Sequence, residues 1–255
     1  MESGRHEEVS GCLMTTIAMI PGRLGRTRLK MKNLALLGGK PLMSYAIEAA
    51  AAAGVFDRII VNGDHGIFAE LAAQYGAEFY LRPAELGSST TKSDSVVYDF
   101  MRAHPAEAVA WVNPTSPFQT GDEIRAVVDD FRSRQLDSLI TVREERVHGL
   151  VDSKPINFNP DGAFAQTQDL SPVQLFVYSV MMWRTATFMS AFERQGYALL
   201  AGKVGYFPVS RLTGVLIKTP EDLQFAEALL KALRRPREAA VQYDRRIQAV
   251  KGVST

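Results

Sequence analysis

The side chains best suited to chemistry fall in one short stretch, PGRLGRTRLKMKN at positions 21–33, where Arg23, Arg26, Arg28, Lys30 and Lys32 are interleaved with Gly22 and Gly25. Glycine lets backbone amides approach an anion without a side-chain clash. Arginine brings a planar fork of donors to phosphate oxygens, and lysine a compact charge. A loop of this make-up suits a chain of phosphates. It contains neither a Walker loop nor a dinucleotide fingerprint, and on charge alone a solvated surface face is the commoner account of such a run. A second stretch, NPTSPF from Asn113, supplies an amide and two hydroxyls in Asn113, Thr115 and Ser116. These either hydrogen-bond a polyhydroxylated ligand or form a rigid turn that ends a strand.

Both stretches need elements to hold them, and the sequence predicts which. Apolar, β-branched runs at 13–20, 58–62, 78–81, 108–112 and 138–142 alternate with stretches of helical length at 42–53, 67–75, 93–103 and 122–134. That alternation predicts an α/β fold of three layers, a mostly parallel sheet covered by helices on both faces. The expected ligand crevice lies beyond the carboxyl ends of the strands, where the 21–33 loop and Asn113 fall. The run 143–168, with Pro155, Pro160 and a turn at 159–162, breaks the pattern and reads as an excursion from the core. Regular structure is expected again from the apolar run at 173–183, then at 185–194 (helix), 204–209 (strand) and from Pro220 (helix), with Thr219 as cap. Ser93 is expected to start its helix in the same way.

The chain has 255 residues, 46% of them hydrophobic, which suffices for one core and one domain. We assign 14–235 to that domain, with 1–13 and 236–255 as polar tails. Lys and Arg total 29 against 28 Asp and Glu, so no general basic field points to nucleic acid or an anionic membrane. A single cysteine, Cys12, excludes an internal disulfide and a cysteine-based zinc site. No apolar run is long enough to span a bilayer, and a cytoplasmic protein is the expectation.

Several unlike motifs then occur in a fixed order. IPGRLGRTRLKMKNLALLGGKPL is followed by VFDRIIVNGD, RPAELGSS and NPTSPF. Together, over about 15–227, they resemble the acylneuraminate cytidylyltransferases. The resemblance implies a nucleotide-diphospho-sugar transferase-like fold, CTP and an acidic sugar as substrates, and transfer of CMP with release of pyrophosphate. It implies nucleotide-binding roles for Pro21, Gly22, Arg23, Gly25, Arg28, Lys32, Asn33, Arg82, Ser88 and Ser89, with Arg23 and Lys32 as the catalytic cations. The two serines serve equally well as the approach to a helix. Asn113, Thr115, Ser116 and Gln168 are implied to meet the acceptor, and His148 and Gly149 fall where family members contact sugar, although a lone loop histidine is usually solvated. Family members pair through the mid-chain excursion, so a homodimer formed through 143–183 is expected.

The chain departs from the family at two places. An arginine suited to the acceptor carboxylate is replaced at Thr167, leaving Gln168 as the polar group of the expected type. The family's late Asp-x-Asp pair, which holds Mg²⁺, reads Leu216 and Lys218 here. Mg²⁺ is therefore implied by the family with no protein ligand assigned, and Asp222 is expected to serve a helix N-terminus. These departures leave two alternatives open: an impaired nucleotide-binding homologue, or an enzyme for another anionic acceptor such as a phosphonate.

Overall fold

The computed structural model describes residues 14–25, 29–88 and 90–234. The expected tails, Arg26, Arg28 and Ser89 lie outside them. In chain order the elements are β1 (Thr16–Gly22), β2 (Leu36–Leu37), β3 (Lys40–Pro41), α1 (Leu42–Ala53), β4 (Arg58–Gly63), α2 (Ile67–Gln74), β5 (Glu78–Leu81), α3 (Ser93–Ala103) and β6 (Ala108–Val112). They continue with α4 (Gly121–Ser133), β7 (Ser138–Glu145), β8 (Leu150–Val151), β9 (Lys154–Pro155), β10 (Val173–Arg184), α5 (Thr185–Gln195), β11 (Val204–Pro208) and α6 (Pro220–Leu233).

Seven strands form one sheet in the order β11-β7-β10-β6-β1-β4-β5. Every pairing is parallel except those of β10, which runs antiparallel between β6 and β7. The central strands are apolar on both faces because helices cover both. Along β1, Ala18 and Ile20 face the layer that holds α1, α2 and α4, whereas Ile17 and Met19 face α3 and α5. Two small hairpins, β2–β3 and β8–β9, lie outside the sheet.

The alanine run ending α1 has a packing reason. A Cβ on Gly121, the first residue of α4, would sit 2.7 Å from the Ala52 carbonyl carbon and 2.8 Å from the Ala53 nitrogen. The two helices touch backbone to backbone, which only small residues permit. Near the other end, α6 docks through Ala226, Leu223 and Leu230 on Leu37, Leu42 and Ile217. Thr219 caps it in a reciprocal box with Asp222, whose Oδ2 accepts the Lys218 and Thr219 amides at 2.8 Å each. No helix among the described residues is long and apolar enough to cross a membrane.

Some elements differ from expectation. β1 begins and ends two or more residues later than 13–20, and β7 continues through Glu145 into the predicted excursion. Ser93 is the first helical residue of α3 and not its cap; Lys92 holds the cap position with no side-chain bond. The Asp94 side chain is instead turned to the Ala198 and Leu199 amides, at 2.7 and 3.1 Å, tying α3 to the segment after α5.

Candidate functional site

The carboxyl ends of β1, β5 and β6 open on one cleft of about 380 Å³. Gly22 shapes its floor: a Cβ there would meet the Met43 and Phe68 side chains at 2.9 and 3.1 Å. The strand ends are braced from beneath by Arg82, which is 4% exposed. It donates from Nη2 to the Gly22 carbonyl at 2.8 Å and from Nη1 to the Asn62 carbonyl at 3.0 Å. Asp64 completes the brace, 3.7 Å from Arg82 and accepting the Leu24 amide at 3.0 Å. Burial pulls the Arg82 pKa down, and the Asp64 charge opposes that pull; an arginine stays protonated under such shifts. The loop after β1 is thus fixed at its root by an ion pair whose donors are spent on carbonyls.

Above this brace the cations gather. Arg23 lies half-buried in the wall and reaches across to the Ser88 carbonyl at 3.3 Å. Lys32 opens a single 3₁₀ turn, Lys32–Leu34, entered through Met31 at φ 47°, and this turn carries Lys32 and the buried Asn33 into the cleft wall. Lys218 comes from a third segment, positioned by the Ile217 amide donating to the Thr115 carbonyl at 2.9 Å and by its own amide on Asp222. Burial, reinforced by the charges of Arg23 and then Lys218, pushes the Lys32 ammonium below the ordinary lysine range. Three cationic side chains thus share one cleft, and the Asp222 carboxylate feels the charge of Lys218.

The opposite wall is polar and aromatic. Asn113 does not offer its amide freely: Nδ2 donates to the Tyr178 carbonyl at 3.1 Å, and Oδ1 accepts from the Thr115 amide at 3.0 Å and its hydroxyl at 2.9 Å. These bonds make the motif a rigid turn that ends β6 at the cleft edge. Tyr178 lines the cleft at φ 54°, within the irregularity where β10 slips register between Phe176 and Met181. A non-glycine residue held at positive φ inside a strand is strained, and such strain tends to collect at ligand sites. Trp111, from β6, lines the same wall with its Nε1 buried, and neither this atom nor the buried Asn33 Oδ1 has a partner among the described residues.

Of the residues implied by sequence, Pro21, Gly22, Arg23, Lys32, Asn33, Arg82, Ser88, Asn113 and Thr115 come together around this cleft. Gly25 is described but does not line it, and Lys30 sits on an exposed turn outside it. Two implied acceptor residues are elsewhere. Ser116 is fully buried and donates to the Thr213 carbonyl at 2.6 Å, so its hydroxyl serves the fold. Gln168 is exposed in the excursion and bonds Gln166. His148 is not solvated; its ring stacks on Phe164 with centroids 4.1 Å apart and meets Phe158 edge-on at 4.9 Å. Sequence reasoning passed over Trp111, Tyr178, Thr91 and the Asp64 brace, and met Lys218 as the residue standing in place of a metal-binding aspartate. Trp111 had a signal, a bulky aromatic at the end of a buried strand just before NPTSP. Tyr178 had none, because its place depends on a bulge.

The Mg²⁺ implied by the resemblance does not fit the residues present. None of the described residues lining the cleft is Asp or Glu; the Leu216 side chain offers no ligand atom, and Lys218 carries like charge. The nearby acids are occupied, Asp64 by the Leu24 amide and Asp222 by two amides of its own cap. Among the described residues, no group of three or more His, Cys, Asp or Glu could hold a metal ion.

Fold and cleft together define an α/β protein of the nucleotidyltransferase-like kind, with a cation-lined cleft at the carboxyl ends of its strands. Residues 17–239 match the model of the cytidylyltransferase family. The chain belongs to that family. It is 38% identical over 109 residues to the N-acylneuraminate cytidylyltransferase of Escherichia coli O18:K1:H7, a stretch covering 42% of this chain and 26% of that protein. It is 35% identical over 122 residues to the CMP-N,N'-diacetyllegionaminic acid synthase of Legionella pneumophila, covering 46% and 53%. The matched stretch thus spans about a quarter to a half of these relatives. The solved structure of a CMP:2-keto-3-deoxy-manno-octonic acid synthetase complexed with CTP superposes with a TM-score of 0.66 at 13% identity, covering 86% of this chain and 99% of that one. At that identity the likeness establishes the fold.

Proposed function

We propose that the protein transfers CMP from CTP to an acidic sugar of the ulosonic acid class and releases pyrophosphate. The observation carrying this reading is the convergence of Arg23, Lys32 and Lys218 on one cleft at the strand ends, whose described lining residues include no acid, in a chain of the cytidylyltransferase family. In this reading the acceptor hydroxyl attacks the α-phosphorus in line. One P–O bond forms as the bond to the bridging oxygen breaks, and pyrophosphate carries the charge away. Arg23 and Lys32 neutralise that charge, with Pro21, Gly22 and Asn33 shaping the loop around the phosphates. No carboxylate or imidazole lines the cleft among the described residues. Arg82 acts beneath the nucleotide as a positioning residue, and Ser88, held by Arg23, borders the nucleoside side. Asn113 and Thr115 present a fixed edge to the acceptor, opposite Tyr178.

A second reading, a homologue that binds nucleotide without turnover, is favoured by the absence of a carboxylate in the described wall. Pyrophosphate release from CTP, followed across a panel of 3-deoxy-2-ulosonic acids and anionic phosphonates, separates the two. Turnover with one acceptor class, and with CTP over ATP, GTP and UTP, is the expected result. Silence across the panel, with CTP still bound, selects the second reading. The chain further pairs with a copy of itself through 143–183, a proposal supported by the exposed Val147, Leu150, Val151, Ile156 and Phe164 there. A monomeric mass in light scattering would overturn that pairing.

A further inference from the structure

We propose that this cleft grips the triphosphate without a bridging divalent cation, the ammonium of Lys218 joining Arg23 and Lys32 to supply the charge a metal would bring. The inference rests on the reading that CTP is the nucleotide. It stands on three features of the site.

The first is convergence. The three cations arrive on separate segments, the loop after β1, the 3₁₀ turn at Lys32–Leu34 and the stretch before α6, yet line one cleft. Lys32 feels both others, since their charges depress its pKa further than burial alone. A triphosphate carries about four negative charges at neutral pH, its terminal group titrating near 6, so the three side chains offset most of it. A Mg²⁺ ion placed among the same ammonium groups would be repelled by them.

The second is the fate of the acids. A metal bridging protein to phosphate needs carboxylate or carbonyl oxygens from the protein. Asp64 is turned to the Leu24 amide and lies 3.7 Å from Arg82, and Asp222 is turned to the Lys218 and Thr219 amides. Neither lines the cleft.

The third is how Lys218 is set. Its exposed side chain stands on a backbone pinned from both sides, by Ile217 on the Thr115 carbonyl and by Lys218 on Asp222. The same Asp222 that closes the helix cap therefore holds the stem of the cation that reaches the phosphates.

Calorimetric titration of the full chain with CTP, in chelator and in millimolar Mg²⁺, tests this, with cytidine as the uncharged probe. The dissociation constants for CTP are expected to agree within about threefold between the two buffers. Lys218→Met, which keeps an unbranched stem, is expected to weaken CTP by about tenfold or more and leave cytidine unchanged. Lys218→Asp is expected to bind CTP weakly in chelator and to regain affinity with Mg²⁺. Tightening of the unaltered chain by about tenfold on adding Mg²⁺ would overturn the inference and leave the CTP reading standing. Equal losses for CTP and cytidine in Lys218→Met would also overturn it, since that marks a structural role. If neither probe binds in either buffer, the CTP reading falls and takes the inference with it.

Discussion

Replacing Arg82 by methionine removes the brace under the cleft while nearly preserving side-chain length. Two hydrogen bonds disappear, to the Gly22 carbonyl at 2.8 Å and the Asn62 carbonyl at 3.0 Å, and Asp64 loses the cation 3.7 Å away. Hydrogen bonds from a charged donor contribute about 1.5–3 kcal/mol each, so the gross loss is about 3–6 kcal/mol. Two terms offset it. The Arg82 Nε is buried without a partner, and removing it recovers about 1 kcal/mol of desolvation. Burying the guanidinium itself carries a penalty that methionine escapes. A net loss of about 2–4 kcal/mol remains, because two carbonyls lose the Arg82 donor and Asp64, which keeps the Leu24 amide, loses its cation. Equilibrium unfolding in urea reads this as a midpoint about 1 M lower at unchanged slope, taking a slope near 3 kcal/mol/M. The exposed pair Arg58–Glu78, at 2.5 Å, is the control; Arg58→Met is expected to cost less than about 1 kcal/mol. CTP affinity should fall with Arg82→Met alone, because Arg23 follows the Gly22 backbone. A loss under about 0.5 kcal/mol would refute the brace and the positioning role with it.

Gly121→Ala places a methyl against the α1 backbone, which cannot yield as a side chain does, and is expected to destabilise by about 1–3 kcal/mol in thermal unfolding. Thr219→Ala removes the acceptor for the Asp222 amide, costs about 1 kcal/mol in urea and loosens the anchor of Lys218. Lys32 gives a pH signature. Its folded pKa is lowered, so the unfolded chain binds more protons in the window from that value up to the ordinary 10.5, and the ligand-free fold gains stability as pH rises through it. Nucleotide binding runs the opposite way: phosphate favours the charged lysine, so CTP affinity declines from a lower pH than an ordinary lysine allows, with proton uptake on binding. Titrations in buffers of different ionisation enthalpy measure that uptake, and Lys32→Arg should abolish it.

Local chemistry was legible wherever neighbours in sequence decide it. The alanine-rich α1, the short edge strand β5 and the Thr219 cap with its Pro220 follow from propensity and capping, and the structure has each where the sequence puts it. The cationic stretch was legible as a group, but not which members turn inward; a 3₁₀ turn sends Lys32 to the cleft and leaves Lys30 on the exposed surface. What the sequence could not carry depends on pairing across the fold. The antiparallel course of β10 and the bulge at Tyr178 arise from its insertion between β6 and β7, and an apolar run has no direction of its own. Ser116 and Arg82 make the same point. Both belong to motifs that promise ligand contacts, and both are spent on backbone carbonyls.

The most direct test is a crystal structure of the chain with CTP grown in chelator. The account predicts the triphosphate in the cleft between Pro21 and Lys218, with phosphate oxygens in hydrogen-bond reach of Arg23, Lys32 and Lys218. A triphosphate bound elsewhere, or one turned away from these three side chains, would contradict it.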